Sequence, residues 1–239
     1  MPASNPIIYA DYPAPDVVRV GAAYYMISTA MHMFPGGQIL RSHDMMHWEH
    51  CAYVYDILGE TAHQRMDGGN IYGRGMWAAS LKHDGEQFHV VFTSNDTKHS
   101  YHYVADDAEG PWLQQEMDGF WYDPGLLFDD GRVYVAHGNR TIRLTELTND
   151  LSAQKEGGID RIILQDSDDI MLGWEGSHLV KHDGWYYLVN IHWRQGGMRA
   201  MSGEFVKAVK EAGTLLCQND ELRAALEREQ QLIDETRHL

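Results

Sequence analysis

Four positions in this chain stand at nearly the same distance ahead of a turn glycine. Ala14 lies seven residues before Gly21, Trp77 eight before Gly85, Asp123 eight before Gly131 and Glu175 nine before Gly184. Two of the four are carboxylates and one is an indole, and each lies within two residues of Pro, Gly or another aromatic residue. If a fold brings such positions together, the chemistry open to them is cleavage of a glycosidic bond. One carboxylic acid protonates the departing oxygen, a second carboxylate activates water, and an apolar ring holds the sugar face. Each residue also has a purely structural reading. Glu175 suits a hydrogen-bonded strand-entry turn, Asp123 before Pro124 suits an Asx-type turn, and Trp77 and Trp193 suit the core.

The elements that would position these residues are strands. Four segments share an apolar strand, a glycine turn and a strand of aromatic and β-branched residues: VVRVGAAYYMIS (17–28), LKHDGEQFHVVFT (81–93), LLFDDGRVYVAH (126–137) and LVKHDGWYYLVN (179–190). Three of the four carry Asp-Gly, a strong hairpin signal between alternating strands. The turn glycines are 64, 46 and 53 residues apart, with further strand-like stretches between them. A four-stranded unit returning about every 50 residues predicts a β-propeller, in which equivalent positions of successive blades point at one axis. A β-sandwich is the other all-β architecture with short strands at this spacing.

Composition narrows the partners. The 239 residues carry 19 Lys+Arg against 35 Asp+Glu, a net charge of −16. That excludes the basic surface needed for nucleic-acid phosphates or an anionic membrane. No apolar run is long enough to span a bilayer. MPASNPIIYADYP does not read as a secretion signal, so a cytoplasmic location is expected. Cys51 and Cys217 give neither a disulfide framework nor zinc spacing, and the 14 His show no HExxH motif, so no catalytic metal is expected. All 20 Trp and Tyr precede residue 201, whereas 13 of the 39 residues from 201 to 239 are charged. Leu222, Leu226 and Ile233 fall at helical spacing there. The segment therefore reads as a tail of two short amphipathic helices, with Asn219 or Asp220 as N-cap of the second.

Five motifs in order, NPIIYADYPAPDVVRVGAAYYMIST, MHMFPGGQILRSHDMMHWE, GMWAASLKHDG, WYDPGLLFDDGRVYVAHGN and EGSHLVKHDGWYYLVNIHWRQGGMR, resemble glycoside hydrolase family 43 over roughly residues 5 to 199. This family contains five-bladed propellers that include β-xylosidases and α-L-arabinofuranosidases. The resemblance implies that Glu175 is the general acid and that Asp123 orients it and tunes its pKa. It implies inversion at the anomeric carbon, with water activated by an Asp of the first blade. It also implies an oligosaccharide substrate and no cofactor beyond the axial structural calcium that some members hold. Trp77 is expected to stack on the sugar. His32 and Phe34, in a loop after the first hairpin, are candidate substrate contacts at the rim, and Trp193 is a further candidate that could equally be core.

Two departures stand out. Where the family reads DYPDP this chain reads Asp11-Tyr12-Pro13-Ala14-Pro15, so alanine occupies the base position. Loss of general-base catalysis removes about 10²–10⁴ in rate. An extended Pro-Ala-Pro backbone would place Asp16 on the same side as Ala14, about 6–7 Å further along, and Asp11 would face elsewhere, so neither replaces the base. The second departure is extent: the resemblance stops near Arg199, before the end of a fourth blade and a fifth. The expectation is an incomplete propeller of roughly three to four blades over residues 1–200 with the helical tail behind it, and self-association possible through the open edge. The function expected is that of an inverting, exo-acting β-1,4-xylosidase on xylo-oligosaccharides, impaired or inactive through Ala14. The alternatives are an α-L-arabinofuranosidase, a non-catalytic carbohydrate-binding propeller and a non-functional fragment.

Overall fold

A computed structural model describes residues 6–167, 172–193, 199–200, 206–211 and 214–216, and among these every regular element is a strand. The first sheet is an antiparallel meander of β1 (Asp16–Val20), β2 (Ala23–Ser28), β3 (Gly36–Ser42) and β4 (Glu49–Tyr55). The second repeats it with β5 (Met76–His83), β6 (Phe88–Ser94), β7 (His99–Ala105) and β8 (Leu113–Gln115). The third contains β9 (Gly125–Asp129), β10 (Arg132–His137), β11 (Thr141–Leu147) and β12 (Asp160–Gln165). The fourth is built on the long hairpin of β13 (Gly173–His182) and β14 (Trp185–Trp193), extended by β15 (Arg199–Ala200), β16 (Val206–Glu211) and β17 (Thr214–Leu216).

Local chemistry explains the hairpins. Asp129 pairs with Arg132 and His182 with Trp185, which leaves the two-residue turns Asp130-Gly131 and Asp183-Gly184. All four turn residues have positive φ, at 49°, 69°, 49° and 77° respectively. That is the conformation whose twist matches the flanking strands and which Asp-Gly adopts at least cost. The third Asp-Gly behaves differently. His83 pairs with Phe88, so Asp84-Gly85-Glu86-Gln87 forms a four-residue turn, with Asp84 Oδ1 accepting the amides of Glu86 and Gln87, each at 2.8 Å.

Packing follows from the alternation of side chains. β6 is buried along its whole length because both faces are covered. Val90 and Phe92 join Ile27, Ile39 and Leu81 between the first and second sheets. Val91 joins Leu126, Val133, Val135 and Leu147 between the second and third. Ala136, Ile142, Leu144, Leu179 and Leu188 close the interface of the third and fourth. Each such side chain taken from water stabilises the fold by roughly 1.5–3 kcal/mol before entropy is counted.

The first strands of successive sheets touch one another: β1 meets β5, β5 meets β9, and β9 meets β13. Asp16 closes the hub. Its Oδ2 accepts Ser80 Oγ (3.2 Å), the Leu81 amide (2.8 Å) and Lys82 Nζ (2.9 Å), and its Oδ1 lies 3.2 Å from His178 Nδ1 on β13. Burial opposes the Asp16 charge, yet Lys82 and His178 hold the carboxyl well below the usual carboxylate range. Sheets stacked face to face in chain order around such a hub have the radial plan of a propeller rather than the two layers of a sandwich.

Residues 206–211 and 214–216 depart from the helical expectation. β16 pairs with β14 through Val206–Leu188, Lys207–Tyr187 and Ala208–Tyr186, and turns into β17. The reason lies in β14, whose outer edge would otherwise leave a row of backbone amides and carbonyls unpaired. The β-branched Val206 and Val209 suit the strand that satisfies it. The sheet therefore continues across the boundary at residue 200, and the second expected helix, with Asn219, Asp220, Leu222, Leu226 and Ile233, lies outside the described residues.

Candidate active site

The four aligned positions lie at or just before the first strand of each sheet, through two backbone devices. Ala14 and Asp123 each stand two residues before a strand, each precedes a proline, and each has left-handed φ, 45° and 47°. Trp77 and Glu175 instead lie inside the first strands, at β-bulges between Met76 and Ala79 and between Glu175 and His178. A bulge inserts an unpaired residue and re-aims its side chain, which is how bulges often serve sites. The Glu175 bulge needs Gly176, whose φ is 65°. It is secured by Asn190, which donates to Glu175 O (3.1 Å) and to Ser177 Oγ (2.8 Å).

Asp123 and Glu175 come together around this bulge. The Gly176 amide donates to Asp123 Oδ2 at 3.0 Å, so the buried Asp123 carboxylate holds the peptide that follows Glu175. Glu175 Oε2 accepts Asn139 Nδ2 at 3.2 Å and Tyr122 Oη at 3.4 Å. The Tyr122 phenol is pushed well above its ordinary range, first by burial and then by the charges of Asp123 and Glu175. It therefore keeps its proton and its role as a hydrogen-bond donor to Glu175 at physiological pH. Trp77 meets the Tyr122 ring edge-on with centroids 5.5 Å apart, and its indole N–H donates to Gly73 O at 3.3 Å. A carboxyl group, two donors to it and an indole wall thus share one corner of the molecule.

The neighbours of Ala14 do not replace a carboxylate there. Ala14 is exposed, and its left-handed φ breaks the extended backbone expected between the two prolines. Asp16 accordingly turns inward instead of following Ala14, and both of its oxygens are engaged at the hub. Asp11 is exposed.

Residues 3–197 match the family model for glycosyl hydrolases family 43. The chain belongs to that family. This family 43 chain is 34% identical over 204 residues to xylosidase/arabinosidase 43B of Humicola insolens, an alignment covering 77% of this chain and 36% of the relative. It is 29% identical over 214 residues to a β-xylosidase of Formosa agariphila, covering 83% of this chain and 36% of the relative. Among solved structures, a bifunctional GH43-CE protein of Bacteroides eggerthii is 38% identical with a TM-score of 0.79, over 90% of this chain and 28% of that one. The chain thus spans about a third of the length of the curated relatives it matches.

The other sequence candidates of the family 43 chain fall in different places. His32 is half-buried in the loop between β2 and β3, its Nδ1 accepting the Gly73 amide at 2.9 Å. Phe34 packs against the core between the first two sheets, because the chain must turn in to begin β3. The backbone of Trp193 pairs with Gly173, and its side chain lies outside the described residues. Tyr122 and Asn139 were not singled out from the sequence, although each lies inside a family motif, WYDPG and HGN, beside a strand end. Among the described residues no group of three or more His, Cys, Asp or Glu side chains gathers as a metal site.

Proposed function

We infer that this chain carries the sugar-binding and proton-donating half of an inverting, exo-acting β-1,4-xylosidase for xylo-oligosaccharides, with turnover impaired at Ala14. The observation that carries this reading is the joining of Asp123 to the Glu175 bulge through the Gly176 amide at 3.0 Å. In a single displacement, Glu175 donates its proton to the departing glycosidic oxygen. Asn139 and Tyr122 fix the direction of that carboxyl group, and Asp123 positions it through the backbone. Trp77 supplies the apolar face for the terminal pentose. Water on the opposite face of the sugar needs a carboxylate at position 14, and a methyl group cannot accept its proton.

An α-L-arabinofuranosidase uses the same constellation, and the Humicola relative's name joins both activities. Ala14 itself favours a second reading from another class, a propeller that binds pentose oligosaccharides without cleaving them. The Ala14→Asp variant separates these. Assayed on aryl β-xyloside and aryl α-L-arabinofuranoside, it is expected to gain at least about 10² in rate on one of them, and Glu175→Gln in the same background should abolish the gain. An Ala14→Asp chain that is folded by circular dichroism yet inert on both substrates would overturn the hydrolase reading. Oligosaccharide affinity surviving in that inert chain would favour the binding propeller.

A further inference from the structure

Tyr72 is an unusual expense for the fold. It is 73% exposed, although an aromatic ring of this size is worth burying. It is nonetheless held in place. Its ring lies 4.3 Å from the His32 ring, centroid to centroid, tilted by 39°. His32 is in turn fixed by the Gly73 amide at its Nδ1, which places the hydrogen of the neutral ring on Nε2. The same Gly73 residue accepts the Trp77 indole N–H through its carbonyl. With a φ of 72° and open space where a Cβ would stand, Gly73 clamps His32 on one side and Trp77 on the other.

Two loops from different sheets make this arrangement. The loop before β5 is tied to the loop after β2 by the Gly75 amide on Met31 O (3.0 Å) and by a bridge between Ala30 and Met76. Two ring pairs result, joined through one residue. Tyr122 touches Glu175 and Trp77 touches Tyr122, while Tyr72 lies on His32, and Gly73, next to Tyr72 in the chain, bonds both Trp77 and His32. Trp77 is half-buried beside Tyr122, whereas Tyr72 is exposed.

We propose that Tyr72, braced by His32, is the stacking platform for the leaving-group sugar, the pentopyranose on the far side of the scissile bond from the residue held by Trp77. The proposal rests on the hydrolase reading and deepens it: the site takes at least two sugar units, and the second contributes binding through an aromatic face. A pre-ordered ring gives that contact without the entropy of fixing a mobile side chain.

Calorimetric titration of the chain as it stands, with xylose, xylobiose and xylotriose, tests this. The chain is expected to bind xylobiose more tightly than xylose. Tyr72→Ala should weaken xylobiose and xylotriose about tenfold, the usual scale of one aromatic contact, and leave xylose unchanged. Tyr72→Phe, which keeps the ring, should behave as the parent. Because Tyr72 is exposed, an unchanged melting temperature checks that the Ala variant is folded. Equal losses for xylose and xylobiose, or no loss for either, overturn the platform while leaving the hydrolase reading standing. A parent chain that binds none of the three sugars overturns the xylo-specific reading and the platform with it.

Discussion

Ala14 and Asp123 share an unusual backbone state, left-handed and directly before proline, and only one of them carries a side chain that favours it. Aspartate tolerates this region because its short carboxylate bonds locally, whereas a Cβ without such compensation costs roughly 1–2 kcal/mol. Ala14 thus keeps the conformation of a carboxylate site without the carboxylate. Because Ala14 is exposed, substitutions there report on backbone strain rather than burial. Ala14→Gly should stabilise the chain by about 0.5–1 kcal/mol, the relief of strain outweighing the added freedom of the unfolded chain, and Ala14→Val should destabilise it by about 1–2 kcal/mol. Urea midpoints that are equal for Gly, Ala and Val would show that position 14 is not held left-handed. At this scale Asp123 and Glu175 were legible because ordered motifs frame them. Tyr122 and Asn139 were not, since a tyrosine or an asparagine beside a strand end is commonplace until its donor is seen on Glu175.

Strands were legible wherever the signal was local. Asp130-Gly131 and Asp183-Gly184 form the two-residue turns their sequence demands, and β6 shows the continuous apolar character of a strand covered on both faces. Residues 206–211 misled because Lys, Glu and Ala favour a helix in isolation, while the unpaired edge of β14 offers hydrogen bonds that propensity does not see. The close approach of elements around the hub left no trace in the hydrophobic pattern either. A Cβ on Gly125, at the start of β9, would stand 2.5 Å from Ser177 O on β13. The obstacle is backbone, so no rotamer change relieves it. Gly125→Ala should therefore force β9 and β13 apart and destabilise the chain by about 2–3 kcal/mol. It should also lengthen the link from Asp123, two residues before Gly125, to Gly176, one residue before Ser177. Chemical denaturation measures the first effect, and loss of xylobiose binding in protein that remains folded measures the second. A Gly125→Ala chain as stable as the parent would mean that the inner strands are not packed this tightly.

Across the whole molecule, the repeat of turn glycines revealed the radial plan, but not the polar residues that the stacked sheets enclose. β6 and β7 bury an imidazole pair: His89 Nδ1 lies 3.0 Å from His102 Nε2, and His89 Nε2 lies 3.1 Å from Asp84 Oδ2. With His89 donating to Asp84, His102 donates to His89, and His102 Nδ1 is left buried without a hydrogen-bond partner. Burial, reinforced by His89 and opposed by Asp150, pushes the His102 pKa down to about 4. In the unfolded chain histidine titrates near about 6.5. Between these values the unfolded state binds a proton that the folded state refuses, so stability falls as pH drops from about 6.5 towards about 4. The full loss from this one residue is about 3 kcal/mol. Buried, ion-paired carboxylates act lower on the scale. Glu146, held down to about 2 first by its bond from Arg132, loses its contribution only as pH falls below its unfolded value of about 4.5. His102→Gln retains a group able to donate to His89 but takes up no proton. Its urea midpoint should therefore decline much less than the parent's between about pH 6.5 and about 4, while the two proteins decline in parallel below that range. Identical slopes above about pH 4 would show that the buried imidazole pair does not set the acid limit of this fold.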